Sequence, residues 1–274
     1  MATYVVTGVS RGIGYGFLTF LTKDPNNTVI GIVRDKAGTL KKISEDPELK
    51  GRSNFHIVEG DLASYDSLKK AAAETASITG GSIDYLISNA GYIPLFDAFD
   101  PIDYLVSNKP KETEEELKKV LNTNVIGQIQ LFSLFIPQIL KGKAKKVVTL
   151  TSGLADLDFT NQFDVFTGSL YSISKAAMNM AVAKFSAQYK EDGIHFISIC
   201  PGLVDTGLYK DSSEEDLAKL GVLMGKFAKY KPDFSGPVTT ETSVQDVKRV
   251  WETTSIENGD GGAFLSQYGN KTWL

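Results

Sequence analysis

Seven short apolar runs recur along this chain with helix-length stretches between them, and few folds can absorb that alternation. The runs are Tyr4–Thr7, Val29–Val33, Phe55–Val58, Tyr85–Ser88, Lys146–Leu150, Ile194–Ile199 and Gly262–Ser266. Apolar residues stand at consecutive positions rather than every second one, so both faces of each strand must be covered. The stretches between include Tyr15–Thr22, Ser64–Ala76, Thr113–Leu140 and Ser169–Tyr189, all long enough for helices. Strands buried on both sides and joined by helices predict a doubly wound α/β fold, with seven mostly parallel strands and helices on both faces. No repeat or linker divides the chain, and 42% apolar residues over 274 positions suffice for a continuous core, so 1–274 reads as one domain.

Charge narrows the partners. A net charge of −4 with interspersed signs forms no basic stripe, which argues against nucleic acid or an acidic membrane and for a small molecule. No run reaches the roughly 20 apolar residues of a membrane span. Met1 leads straight into Tyr4–Thr7 with no basic, apolar and cleavage regions of a leader, so a cytoplasmic location is expected. The one cysteine, Cys200, cannot form an internal disulfide and suits a reducing compartment; at the end of an apolar run it reads as an inert core thiol. His56 and His195 lie in strand-like runs without further ligands near them in sequence, so no metal is expected.

Gly8, Gly12 and Gly14 fall between the first strand and the first helix, in the segment Thr7-Gly-Val-Ser10-Arg11-Gly-Ile13-Gly14. Glycine there permits a tight turn and lets a pyrophosphate approach the helix N-terminus, as in a Rossmann fold, although the spacing is G-x-x-x-G-x-G. The second strand ends Val33-Arg34-Asp35, where dinucleotide sites carry either an acid for the ribose 2′-hydroxyl or a base for a 2′-phosphate. Arg34, helped by Arg11, favours the phosphate and hence NADP(H). Asp35 stands against this, since it could turn to the ribose or pair with Arg34.

A second motif is Tyr171-Ser-Ile-Ser-Lys175, nineteen residues beyond Ser152. A Tyr and a Lys four apart share a helix face, so the ammonium can stabilise a phenolate and bring the phenol closer to neutral pH, making Tyr171 a candidate proton donor. The same spacing in Tyr65-Asp-Ser-Leu-Lys69 follows Ser64, a residue suited to cap an ordinary amphipathic helix, and is a decoy.

Thr7-Gly8-x-x-x-Gly12-x-Gly14, Asp61-Leu62, Asn89-Ala90-Gly91, Asn124-Val-Ile-Gly127, Ser152, Tyr171-x-x-x-Lys175 and Pro201-Gly202-Leu-Val204-Asp-Thr206 occur in one order. In that order they resemble the short-chain dehydrogenase/reductase family over essentially the whole chain. The ending Gly262–Tyr268 is similar to benzil-reductase and sepiapterin-reductase-like carbonyl reductases. The resemblance implies that Asp61 and Leu62 flank the adenine and that Asn89, Ala90 and Gly91 support the cofactor beside the sheet. It implies also that Pro201, Gly202, Val204 and Thr206 border the nicotinamide, and that Asn124, Ser152, Tyr171 and Lys175 form the catalytic set. Tyr171 would give the proton, Ser152 polarise the carbonyl, Lys175 hold the ribose and Asn124 hold a water linking Lys175 to solvent.

These residues lead to an NADPH-dependent reductase of a ketone, diketone or aldehyde. An alcohol or hydroxysteroid dehydrogenase working oxidatively would use the same set, and an NADPH sensor without turnover would use the fold alone. The segments 92–110 and 205–242 interrupt the strand–helix rhythm, and 153–170 is longer than the resemblance implies; all three are expected to wall the pocket. Helices 113–140 and 169–189 carry more apolar residues than one sheet face needs, among them Phe132, Phe135, Ile136, Met178, Met180 and Phe185. Resemblance to the family suggests that they form a homodimer or homotetramer interface.

Overall fold

The protein, described over residues 1–274 by a computed structural model, is built on a sheet of seven strands. These are β1 (Thr3–Thr7), β2 (Thr28–Val33), β3 (Phe55–Glu59), β4 (Tyr85–Ser88), β5 (Lys146–Leu150), β6 (His195–Cys200) and β7 (Phe264–Ser266). Their order is β3-β2-β1-β4-β5-β6-β7, and all six neighbouring pairs are parallel. The seven expected strands are therefore present, and the doubly wound reading holds. Alternate side chains of one strand enter different cores: Tyr4 and Val6 pack on one face, Val5 on the other.

One face is covered by α1 (Gly12–Leu21), α2 (Lys36–Glu45) and α10 (Thr240–Thr253), with Phe17, Ile43, Val247 and Trp251 in the core. The other is covered by α3 (Tyr65–Thr79), α6 (Gly127–Ile139) and α8 (Ser169–Tyr189). The long helix expected over 113–140 starts at Pro110 as α5 (Pro110–Leu121), and a π-helical turn at Asn122–Ile126 separates it from α6. The wider turn is held by tertiary contacts of Asn124, which periodicity does not register. Gly127 then lies so close to the Leu62 carbonyl oxygen that a Cβ would stand 2.1 Å from it.

The residues named for the association face lie mostly inside the monomer. Phe132, Phe135, Ile136 and Met178 are buried inside the monomer and Phe185 packs against the same core; of the six residues, Met180 alone is exposed, at 61%. Most of the apolar surplus on the two helices fills the space against the sheet, while Ile129 of α6 and Ile173 and Met180 of α8 remain exposed.

No helix is long and apolar enough to cross a membrane. Three further helices, α4 (Ile102–Asn108), α7 (Leu157–Phe163) and α9 (Glu214–Tyr230), belong to the segments that interrupt the sheet rhythm. Side chains of α7 and α9, with Cys200 and the chain's last residues, build a smaller third core around Phe159, Val165, Cys200, Phe227, Trp273 and Leu274.

Candidate active site

Strand order reverses direction between β1 and β4, and the connections leaving the carboxyl ends of the strands there open a crevice suited to a ligand. On the β1 side, Gly8 has φ +78° and Gly12 φ +56°, values that side-chain-bearing residues rarely adopt. A Cβ on Gly14 would stand 2.2 Å from the Gly8 carbonyl oxygen, so the helix start must be glycine to fold back on the loop. Arg11 precedes α1 in extended conformation, and its side chain makes no cap, leaving the first-turn amides without a side-chain acceptor. That combination of a tight cradle and uncapped amides fits a pyrophosphate. Ser10 and Arg11 are exposed, and Ile13 is half-buried against the core below.

Arg34 is exposed just past β2 and forms no ion pair. Asp35 does not pair with it: the carboxylate caps α2, with Oδ1 accepting from Gly38 N at 2.8 Å. Lys42, not singled out from the sequence, donates to the Ser10 carbonyl at 3.1 Å and brings another positive charge to the glycine loop. Asp61 follows β3 and accepts from Ala63 N at 2.9 Å, while Leu62 is 8% exposed and packs into the second core.

Asn89 ties β4 to the glycine loop. Its Nδ2 donates to Thr7 O at 2.8 Å, and the amides of Asn89 and Ala90 donate to Thr7 Oγ1 at 3.1 and 3.0 Å. Gln128, missed in the sequence, holds the next link by donating to Ala90 O at 2.6 Å. Across the crevice, Pro201 O accepts from Ser243 Oγ, Gly202 has φ +79° against the Gln267 amide, and Val204 bridges to Val238. Thr206 reaches Gly12, with its Cγ2 3.3 Å from where a Cβ would be.

Tyr171 and Lys175 lie on the first turns of α8, and Lys175 is buried with Nζ donating to Leu150 O at 2.8 Å. An ammonium has three protons, so two remain for other acceptors. Burial draws the Lys175 pKa down to about 8, and burial pushes the Tyr171 hydroxyl above the usual phenol range, with Cys200 and Tyr209 adding to the rise. The expectation that Lys175 lowers the phenol is thus not met in this chain by itself. Nζ stands 5.6 Å from the ring centroid and its bond goes to a carbonyl, so desolvation outweighs attraction.

Ser152 starts the 3₁₀ turn Gly153–Ala155, and its Oγ accepts from Leu154 N at 3.2 Å. One lone pair is thereby filled while the hydroxyl proton stays free to donate. Cys200 is buried as expected, and its Sγ accepts from Gly153 N at 3.1 Å, steadying the turn beside Ser152. Asn124 is buried with its amide engaged: Oδ1 accepts from Tyr92 N at 2.7 Å, and Nδ2 donates to Tyr92 O at 2.8 Å and Ser174 Oγ at 3.1 Å. Ser174 in turn donates to Tyr171 O at 2.7 Å. A Cβ on Gly91 would stand 3.3 Å from Asn124 Oδ1 and 3.6 Å from Lys175 Nζ, so this glycine keeps space open between them.

The three interrupting segments meet above this set. Phe99 packs edge-on against Tyr209, Lys219 of α9 pairs with Asp100 at 2.8 Å, and Phe159 of α7 contacts Phe227 and Tyr230 of α9. Asp97 is fully buried and accepts from the amides of Leu170 and Tyr171 at 2.6 and 3.2 Å. No local spacing signals that bond, because 73 residues separate Asp97 from Leu170. No cluster of residues suited to a metal is present.

The chain can be compared with known proteins on this basis. The pattern that defines short chain dehydrogenases matches residues 2–217. The short chain dehydrogenase virK of Hypocrea virens is 53% identical over 274 residues, all of both chains. The short-chain dehydrogenase/reductase iacC of Pestalotiopsis fici is 50% identical, again over the full length of both. Among solved structures, the NADPH-bound carbonyl reductase from chicken fatty liver superposes with a TM-score of 0.77 at 25% identity, covering 98% of each chain.

Proposed function

The chain belongs to the short-chain dehydrogenase/reductase family and is an oxidoreductase that uses a nicotinamide cofactor. From that premise we propose that it reduces the carbonyl of a ketone, diketone or aldehyde with NADPH. The observation that carries this reading is the meeting of Ser152, Tyr171, Lys175 and Asn124 at the crevice beside an anion cradle, with Arg34 exposed and unpaired just past β2. NADPH would supply the hydride; the chain's own groups position the carbonyl and provide the proton. The chicken protein, solved with NADPH and called a carbonyl reductase, supports the cofactor and the reaction class.

In this reading Tyr171 holds its proton throughout the neutral range, as a donor for reduction must. Ser152, already accepting from Leu154, directs its hydroxyl proton at the substrate oxygen. Lys175 offers its two remaining N–H groups to the ribose hydroxyls. Asn124 holds the Tyr92 loop and the first turns of α8 together, and the free lone pair of Oδ1 faces the gap kept by Gly91, where a water can lead to Lys175. Gly8, Gly12 and Gly14 take the pyrophosphate, and Arg34 with Arg11 and Lys42 takes the 2′-phosphate. A cytoplasmic place, with its reduced NADP pool, fits this direction.

The test is NADPH oxidation, followed at its absorbance band, against a panel of aromatic and aliphatic ketones and diketones. Turnover with any of them supports the reading. Tight NADPH binding with no turnover across the panel replaces it with a sensor, and turnover confined to alcohols with NADP replaces it with an oxidative dehydrogenase.

A further inference from the structure

The helix that carries Tyr171 begins without a cap of its own. Its N-cap position is Gly168, in left-handed conformation with φ +65° and no side chain to accept from the first turn. A long helix that starts this way leaves amides unsatisfied at the turn where the proton donor sits. Here three of the four amides from Gly168 to Tyr171 turn to one distant residue. The Gly168 amide donates to the Asp97 carbonyl at 2.8 Å, and those of Leu170 and Tyr171 donate to Asp97 Oδ2. Asp97 therefore performs from another segment the work that an N-cap side chain performs locally, and its negative charge lies at the positive end of the α8 dipole.

We infer that Asp97 is a positioning residue: its buried carboxylate caps α8 from the pocket wall, fixes the backbone of Tyr171, and so couples the 92–101 loop to the proton donor. The inference rests on the reading of Tyr171 as that donor.

Three observations support a role beyond general stability. Asp97 has no exposed surface, and its Oδ1 is buried with no hydrogen-bond partner, an arrangement that costs free energy unless something else requires it. The bond to Tyr171 N is made to the very residue whose side chain must be aligned, rather than to the helix in general. The loop that carries Asp97 is also joined to α9 through Asp100–Lys219, to the turn before α9 through Phe99–Tyr209, and to the π-turn through Asn124 and the Tyr92 backbone. A substrate pressing on that wall therefore acts on the backbone of Tyr171 through Asp97.

The experiment compares Asp97→Ala, Asp97→Asn, Tyr171→Phe and the double variant Asp97→Ala/Tyr171→Phe in the full chain. For Asp97→Ala, kcat should fall about tenfold or more, while NADPH Kd stays within about twofold. Asparagine retains an acceptor oxygen, so Asp97→Asn should recover most of the rate. Adding Asp97→Ala to Tyr171→Phe should cost nothing further, because a positioning residue has no effect once its object is gone. Hydrogen exchange gives a readout that does not use activity: the amides of residues 169–172 should exchange faster in Asp97→Ala, with the rest of α8 unchanged. Wild-type kcat in Asp97→Ala, full additivity in the double variant, or unchanged exchange at 169–172 overturns the inference. If Tyr171→Phe itself turns over at the wild-type rate, the donor assignment fails, and the exchange result still decides whether Asp97 caps α8.

Discussion

The two walls of the crevice are built by different means. The cofactor side, from β1 through α1 to the end of β2, takes its shape from backbone constraints within a few residues, positive φ at Gly8 and Gly12, the close approach of Gly14 to Gly8 and Asp35 capping its own helix, and is tied down from β4 by Asn89 and Ala90. The side proposed to meet the substrate is assembled from segments far apart in the chain, joined by Asp97 to α8, Asp100 to Lys219, and Phe159 to Tyr230. A wall made by local backbone rules keeps one shape and one ligand. A wall made of side-chain contacts between insertions can change its lining while the sheet beneath stays as it is, which is how one fold serves many substrates.

The largest expected effect lies at the junction of the two walls. Tyr171→Phe should lower kcat by about 10² or more, the loss typical of a positioned general acid, with NADPH affinity retained. Single-turnover hydride transfer alongside fluorescence titration separates the two quantities. Tyr65→Phe, on an exposed first turn of α3, should leave both unchanged. Lys175→Ala should damage binding and turnover together.

Next in size is the cofactor side taken alone. Arg34→Asp exchanges attraction for repulsion at the 2′-phosphate, an effect of about 2–3 kcal/mol where the contact is partly desolvated. kcat/KM for NADPH should fall about 30-fold or more, and that for NADH should hardly move. Equal losses with both cofactors would show that Arg34 does not read the phosphate.

The pH dependence is smaller and has opposite signs for activity and stability. With Lys175 titrating at about 8 in the folded chain, against 10.5 for a free lysine, kcat/KM for reduction should be level below pH 7 and fall as pH rises through 8. Between pH 8 and 10.5 the unfolded state binds the extra proton. The contribution of Lys175 to stability should therefore rise with pH in that window and be lost as pH falls through 8. A kcat/KM profile flat to pH 10 would remove Lys175 from the mechanism; denaturant midpoints at pH 7.5 and 9.5, compared with Lys175→Met, isolate the stability part.

The smallest effect belongs to the substrate side. Lys219 and Asp100 are partly exposed, so the pair is worth at most about 1 kcal/mol. Lys219→Ala should raise the substrate KM by a few-fold at low salt and leave kcat and NADPH Kd alone. A comparable change in NADPH Kd would mean that the two walls are not separable.

Which parts were legible from sequence follows the same division. Seven apolar runs became seven strands because burial on both faces leaves its mark residue by residue. Tyr171 and Lys175 could be paired because four positions on a helix make one face. The role of Asp35 was also open to a local reading: an Asp three residues before Gly38 at the start of a helix suits an N-cap, and that is its place. The apolar surplus on α6 and α8 could not be divided from sequence, since composition does not distinguish a face packed on the sheet from one packed on another copy. Of the six residues Met180 alone is exposed, joined on the same helices by Ile129 and Ile173, and light scattering at micromolar concentration decides whether the chain forms a dimer or tetramer.

By itself, then, the sequence determined the strand–helix order, the glycine cradle, the placement of Arg34 and the Tyr171–Lys175 face. Each follows from forces acting within one or two turns of chain: side-chain periodicity, the φ range open to glycine, and helix capping. Only the tertiary structure decided the π-turn that presents Asn124, the direction in which burial moves Tyr171 and Lys175, and the capping of α8 by Asp97. Those depend on which distant segments exclude water from one another, and desolvation is a property of the packed neighbourhood that no spacing along the chain records.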